Sequence, residues 1–91
     1  MEKEDEFLKY SGKEFRNDGG ELMEGDIFKN GIIMRFHNGL LDGQGEPAIE
    51  TNHGHIEYWE KGQRTRVVTD YFNTEEIWEN GKMISSKTDR N

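Results

Sequence analysis

The run Asp26-Ile27-Phe28-Lys29-Asn30-Gly31-Ile32-Ile33-Met34-Arg35-Phe36-His37-Asn38-Gly39-Leu40-Leu41-Asp42 decides the fold. It contains two Asn-Gly pairs, each preceded by an aromatic residue two positions earlier and followed by apolar residues. Asn-Gly is the strongest short signal for a tight hairpin, because both central residues of a type I′ turn need positive φ. A two-residue turn at Asn30-Gly31 pairs Phe28 with Ile33, Ile27 with Met34 and Asp26 with Arg35. A second at Asn38-Gly39 pairs Phe36 with Leu41 and Arg35 with Asp42. Ile27, Met34, Phe36 and Leu41 then share one face. Arg35 lies between two aspartates on the other, as a half-buried sheet requires.

The same unit of aromatic, any residue, Asn or Lys, then Gly recurs at Trp59-Glu60-Lys61-Gly62 and Trp78-Glu79-Asn80-Gly81. A turn at Lys61-Gly62 pairs Trp59 with Arg64, Glu57 with Arg66 and Ile56 with Val67. A turn at Asn80-Gly81 pairs Glu79 with Lys82, Trp78 with Met83 and Ile77 with Ile84. Thr51-Asn52-His53-Gly54 reverses the chain so that Ile49 faces Ile56, and Asp70 to Thr74 reverses it again. Pro47, the only proline, sits where it would begin a strand. Nearer the N-terminus, Phe7 to Tyr10 reads as a first strand, with turns at Ser11-Gly12 and Asn17-Asp18-Gly19-Gly20. No segment shows a sustained helical period with caps. The expectation is an all-β protein, an antiparallel β-meander of repeated hairpins in one twisted sheet. It forms a single domain over 1–91, with a repeat core over about 24–84 and frayed ends at 1–5 and 87–91.

Size and composition bound what such a sheet can do. A chain of 91 residues buries only ~60–65% of its unfolded surface. Only 31% of the residues are hydrophobic and 34% are charged, a balance that leans toward disorder. Two Trp, three Tyr and five Phe offset this, because each aromatic buries a large area in a thin core. There is no cysteine, so disulfides and thiolate metal sites are excluded. No stretch approaches the apolar length of a membrane span, and Met1 to Glu6 is acidic, the reverse of a signal peptide. A cytoplasmic location follows as the default. The formal net charge of −7 argues against direct binding to nucleic acid.

The repeat carries a resemblance. Phe36-His37-Asn38-Gly39-Leu40-Leu41-Asp42-Gly43-Gln44-Gly45 resembles the MORN repeat, an aromatic, a glycine-containing turn, then a Gly-x-Gly step. Glu24-Gly25-Asp26 looks like the glycine-containing strand before it. Trp78-Glu79-Asn80-Gly81-Lys82-Met83 is similar to the Trp-x-x-Gly-Lys-hydrophobic form of the MORN-variant proteins labelled as antitoxins. Gly45-Glu46-Pro47-Ala48 followed by Tyr58-Trp59-Glu60-Lys61-Gly62 resembles degenerate repeats of small bacterial and phage proteins. Thr65-Arg66-Val67 and Ile84-Ser85-Ser86 stand where the Gly-x-Gly step would recur, which favours a twisted or curled sheet over a flat ribbon there. The resemblance implies protein or lipid contact and scaffolding, without catalysis in the repeats.

Candidate chemistry is sparse. His53-x-His55, with Glu50 or Glu57 near, outlines a metal site, but both histidines flank a turn where polar side chains are ordinary. Glu75-Glu76, and Asp42 with Glu46, are carboxylate pairs without the cleft a glycosidase needs. Asp42-Gly43-Gln44-Gly45 is glycine-rich but has neither the helix nor the lysine of a phosphate cradle. Neither catalysis nor a cofactor is expected. The leading expectation is a binding protein of inhibitor or antitoxin type, such as an anti-CRISPR protein. Its acidic side chains would stand in for phosphates in a basic groove of a nuclease or another nucleic-acid-binding partner. The candidate contacts are Asp42, Glu46, Glu50, Glu57, Tyr58, Trp59, Glu60, Tyr71, Glu75, Glu76, Trp78 and Glu79. The aromatics enter because Tyr58-Trp59 and Tyr71-Phe72 send one large side chain to each face of a strand, and Tyr and Trp are enriched at binding hot spots. A self-associating scaffold is the second expectation, and a metal-dependent enzyme at His53 and His55 the third.

Overall fold

The computed structural model describes residues 7–69 and 74–88. The candidate Tyr71, the neighbouring Phe72 and most of the expected turn from Asp70 fall outside them, as do 1–5 and 89–91.

Eight antiparallel strands form one open sheet. They are β1 (Gly25–Lys29), β2 (Ile32–His37), β3 (Leu40–Leu41), β4 (Ile49–Thr51), β5 (His55–Glu60), β6 (Gln63–Thr69), β7 (Thr74–Glu79) and β8 (Lys82–Thr88). The order is β1-β2-β4-β5-β6-β7-β8, with β3 pairing β2 off that path. Each strand pairs the one before it in sequence, as tight turns require, except β4, which pairs β2 beyond the short β3. Four of those turns place Asn30, Asn38, Lys61 and Asn80 at φ between 50° and 54°, each followed by a glycine at positive φ. The β1–β2 register is the expected one throughout, from Asp26 opposite Arg35 to Phe28 opposite Ile33.

Three registers differ from expectation, and two share a cause. Trp59 pairs Arg64 as expected, but Tyr58 pairs Arg66 and Glu57 pairs Val67. Thr65 is the extra residue of a β-bulge, and its hydroxyl donates to the Tyr58 carbonyl at 3.2 Å. The last hairpin repeats this at the same place: Trp78 pairs Met83, whereas Ile77 pairs Ser85 and leaves Ile84 unmatched. A bulge restores to one face two residues that strict alternation would send to opposite faces, here Arg64 and Val67. Ile49 pairs Glu57, while Ile56 pairs Glu50, one residue off the expected facing of Ile49 and Ile56. Pro47 lies two residues before β4 rather than at its start, and its carbonyl accepts from Arg35 Nη1 at 2.7 Å.

The core lies on one face of the sheet, under the N-terminal segment. Phe7, Phe36, Leu41, Ala48, Ile49 and Trp59 are buried together, with Tyr10, Phe15, Met23, Ile32 and Met34 packed around them. The expected strand over Phe7 to Tyr10 is instead a 3₁₀ turn at Leu8–Tyr10. In that geometry residues three apart eclipse. Phe7 and Tyr10 therefore both face the sheet, their rings 6.3 Å apart. A strand would have split them between opposite faces. At the other end, Lys87 and Thr88 pair Glu75 and Thr74, so β8 continues past the point where fraying was expected to begin.

Candidate functional site

The hairpins β5–β6 and β7–β8 carry the side chains from which a site can be built. Glu57-Tyr58-Trp59-Glu60-Lys61-Gly62 and Glu76-Ile77-Trp78-Glu79-Asn80-Gly81 are two copies of one unit, with a glutamate two residues before each tryptophan. That spacing puts both side chains on the same face of a strand. The indole N–H of Trp59 donates to Glu57 Oε1 at 2.8 Å, and that of Trp78 to Glu76 Oε1 at 2.9 Å. The glutamates are thus acceptors for a buried indole at Trp59 and a half-buried one at Trp78.

In the first copy this face is closed. Arg64, 1% exposed, donates Nε to Glu57 Oε1 at 3.2 Å and Nη2 to Glu57 Oε2 at 3.3 Å. His55 Nε2 lies 2.7 Å from Glu57 Oε2, and the imidazole stacks on Phe7 with ring centres 6.0 Å apart. The guanidinium sits over Trp59 on one side and Trp78 on the other. Both oxygens of the buried carboxylate accept a hydrogen bond, Oε1 from Trp59 and Arg64 and Oε2 from Arg64, the condition under which an interior charge is tolerated.

In the second copy the same face is open. Met83 occupies the place of Arg64, opposite Trp78, and among the described residues no tryptophan lies over it. Met83 is 49% exposed, and every residue of β8 is exposed. The opposite face of the sheet also lacks a covering layer among the described residues. Phe28, Ile33, Glu50, Ile56, Val68, Glu75 and Lys87 form one row across six pairings there. Phe28 is 74% exposed. Ion pairs lace this face: Arg35 joins Asp26 and Glu50, and Arg66 joins Glu75 while lying over Tyr58. The hydrogen bond from Arg35 to Glu50, aided by the charges of Glu50 and Asp26, raises the guanidinium's pKa above the usual arginine range.

Placement divides the sequence candidates. Asp42, Glu57 and Trp59 are buried. Glu57 and Trp59 bond each other under the N-terminal segment, for the reasons above. The Asp42 carboxylate accepts from the backbone of Gln44 at 2.8 Å and of Lys61 at 3.2 Å, pinning two turns together. It does not pair with Arg35, whose partners are Asp26 and Glu50. Glu46, Glu60 and Glu79 are exposed, while Glu50, Tyr58, Glu75, Glu76 and Trp78 are half-buried. His53 is exposed in the turn and His55 is committed to Glu57. Among the described residues no three His, Asp or Glu side chains are placed to hold a metal ion. Sequence reasoning missed the cluster of His55, Glu57, Trp59 and Arg64. Its signal was the glutamate two residues before each tryptophan.

No protein-family profile, curated protein or solved structure matches this chain. No helix among the described residues is long and apolar enough to cross a membrane.

Proposed function

We propose that the chain is a non-catalytic protein-binding module that acts as an inhibitor or antitoxin-like protein against a basic partner. One observation carries this. Among the described residues the β7–β8 hairpin is the less covered of the two copies: Trp78 is half-buried and Met83 exposed, where the equivalent Trp59 and Arg64 are buried. Exposed apolar surface rimmed by charge is characteristic of interaction sites. Glu60 and Glu79 stand at the turn ends of the two repeated hairpins and form no ion pair among the described residues, which suits a basic partner. A nuclease or other nucleic-acid-binding protein of a defence system fits this chemistry, as would a cytoplasmic setting and the MORN-variant antitoxin resemblance. The test is capture from lysate by immobilised protein, with the recovered partner purified and titrated. A basic partner is expected, bound more weakly as salt rises and more weakly by a Glu60→Lys, Glu79→Lys variant. Recovery of no basic protein, or binding insensitive to both salt and charge reversal, overturns the proposal.

A second reading, self-association, is favoured by the exposed Phe28 on the edge strand β1. Sedimentation of a strict monomer across a wide concentration range would remove it.

A further inference from the structure

Three of the turns are Asn-Gly pairs of one geometry: Asn30, Asn38 and Asn80 have φ of 54°, 53° and 52°, and their glycines 78°, 80° and 79°. An asparagine followed by glycine can react with its own backbone. The peptide nitrogen of the glycine attacks the side-chain carbonyl carbon of the asparagine. A bond from that nitrogen to Cγ forms and the Cγ–Nδ2 bond breaks. The proton lost from the peptide nitrogen is balanced by the one gained on the leaving group, so ammonia departs. Water then opens the resulting imide at either carbonyl, giving aspartate or isoaspartate. No oxidant or reductant is needed. With the local geometry shared, the surroundings of each glycine N–H decide which site reacts.

Those surroundings differ sharply. At Asn38-Gly39 the glycine is buried and its N–H donates to the Met23 carbonyl at 2.9 Å. A Cβ on Gly39 would run into Leu22, the Phe15 carbonyl and Glu14. The Asn38 backbone N–H is also held, by Glu24 Oε1 at 3.0 Å. At Asn30-Gly31 the glycine N–H has no acceptor among the described residues, but Asn52 packs against the turn and donates its own N–H to the Gly31 carbonyl at 3.1 Å. At Asn80-Gly81, among the described residues, the N–H has no acceptor and no atom lies within 4 Å of where a Cβ on Gly81 would stand. The turn joins β7 to the exposed edge strand β8.

We infer that Asn80 is a built-in site of spontaneous deamidation, reacting ahead of Asn30, with Asn38 protected by the fold. The product places a carboxylate beside Glu79 and makes the chain one unit more negative. Where isoaspartate forms, it adds a backbone carbon to a turn that admits only two residues. The β7–β8 register that sets Trp78 opposite Met83 then loses its fixed starting point.

The test is a time course of the folded full chain in warm, mildly alkaline buffer, read by peptide mapping at the three sites and by an enzymatic isoaspartate assay. Asn80 is expected to convert about fivefold or more faster than Asn38, the factor that one hydrogen bond of ordinary net strength represents. Asn30 should fall between them. The same chain in denaturant supplies the second measurement. There the three rates should draw together to within about twofold, because only neighbouring residues remain to distinguish them. Equal rates at Asn80 and Asn38 in the folded chain would overturn the inference. So would an unchanged ratio in denaturant, since the ordering would then belong to sequence and not to the fold.

Discussion

The guanidinium of Arg64 lies 4.6 Å from the ring centre of Trp78, a residue of the following hairpin. It lies 5.6 Å from that of Trp59, and both it and its partner Glu57 are 1% exposed. Removing one member of such a buried pair costs about 3–5 kcal/mol. Arg64→Met and Glu57→Leu are each expected to lose that much in urea denaturation, as a lower midpoint at constant slope. The double variant should be more stable than either single change. It should remain below the natural protein, because Trp59 and His55 then lose their acceptor at Glu57.

Two glycines separate steric from conformational cost. A Cβ on Gly43 would sit 1.7 Å from the Glu46 carbonyl oxygen, and that atom is backbone. A Cβ on Gly81 would meet nothing within 4 Å among the described residues, but φ there is +79°. Gly81→Ala should therefore cost about 1–2 kcal/mol, the strain of a left-handed alanine. Gly43→Ala forces the loop before β4 apart and should cost about 3 kcal/mol or more. Thermal unfolding of the two variants side by side reads the difference.

The hairpins were legible because Asn-Gly and Lys-Gly fix both turn type and first register at once. Phe28 with Ile33 and Trp59 with Arg64 follow from the turns alone. What lay beyond the third residue after Gly62 and Gly81 was not legible. A bulge there is a long-range compromise that brings Arg64 and Val67 to one buried face, and nothing in Thr65 or Ile84 announces it. The burial of two acidic candidates was not legible either. Asp42 and Glu57 look like Glu60 in a sequence, and only tertiary placement turns them into a turn clamp and a buried acceptor. Phe7 to Tyr10 is too short for periodicity to distinguish a strand from a 3₁₀ turn.

The edge of the sheet gives a prediction about backbone donors. Lys29 and Ile32 flank a two-residue turn, and hydrogen-bonded pairs alternate along an antiparallel ladder. Ile27 therefore turns its N–H toward β2, and Phe28 turns its N–H outward. Ile27→Pro removes a ladder bond and should cost about 1–3 kcal/mol. Phe28→Pro removes only an outward donor and should leave stability within about 0.5 kcal/mol, as surface changes do. If β1 is also the surface through which copies associate, Phe28→Pro should abolish that association while the fold survives. Chemical denaturation and sedimentation of the same two variants read both effects.

Acid sensitivity should be traceable to Glu24. Its carboxylate accepts the Asn38 backbone N–H at 3.0 Å and lies 2.9 Å from His37 Nδ1. The backbone bond first, and the imidazole second, hold its pKa below the ordinary glutamate value. A carboxyl group depressed by folding binds fewer protons in the folded chain than in the unfolded one. Its contribution to stability is complete above the unfolded pKa and is lost as pH falls through the folded one. Glu24→Gln, which keeps a side-chain carbonyl for the same donor, should therefore differ most from the natural protein at neutral pH. The gap in unfolding midpoint should narrow on acidification, and the two curves should run parallel below the glutamate range. A gap that stays constant from neutral to acid would mean that Glu24 acts through packing alone, and that the Asn38 turn is held by Gly39 and Met23 without help from its charge.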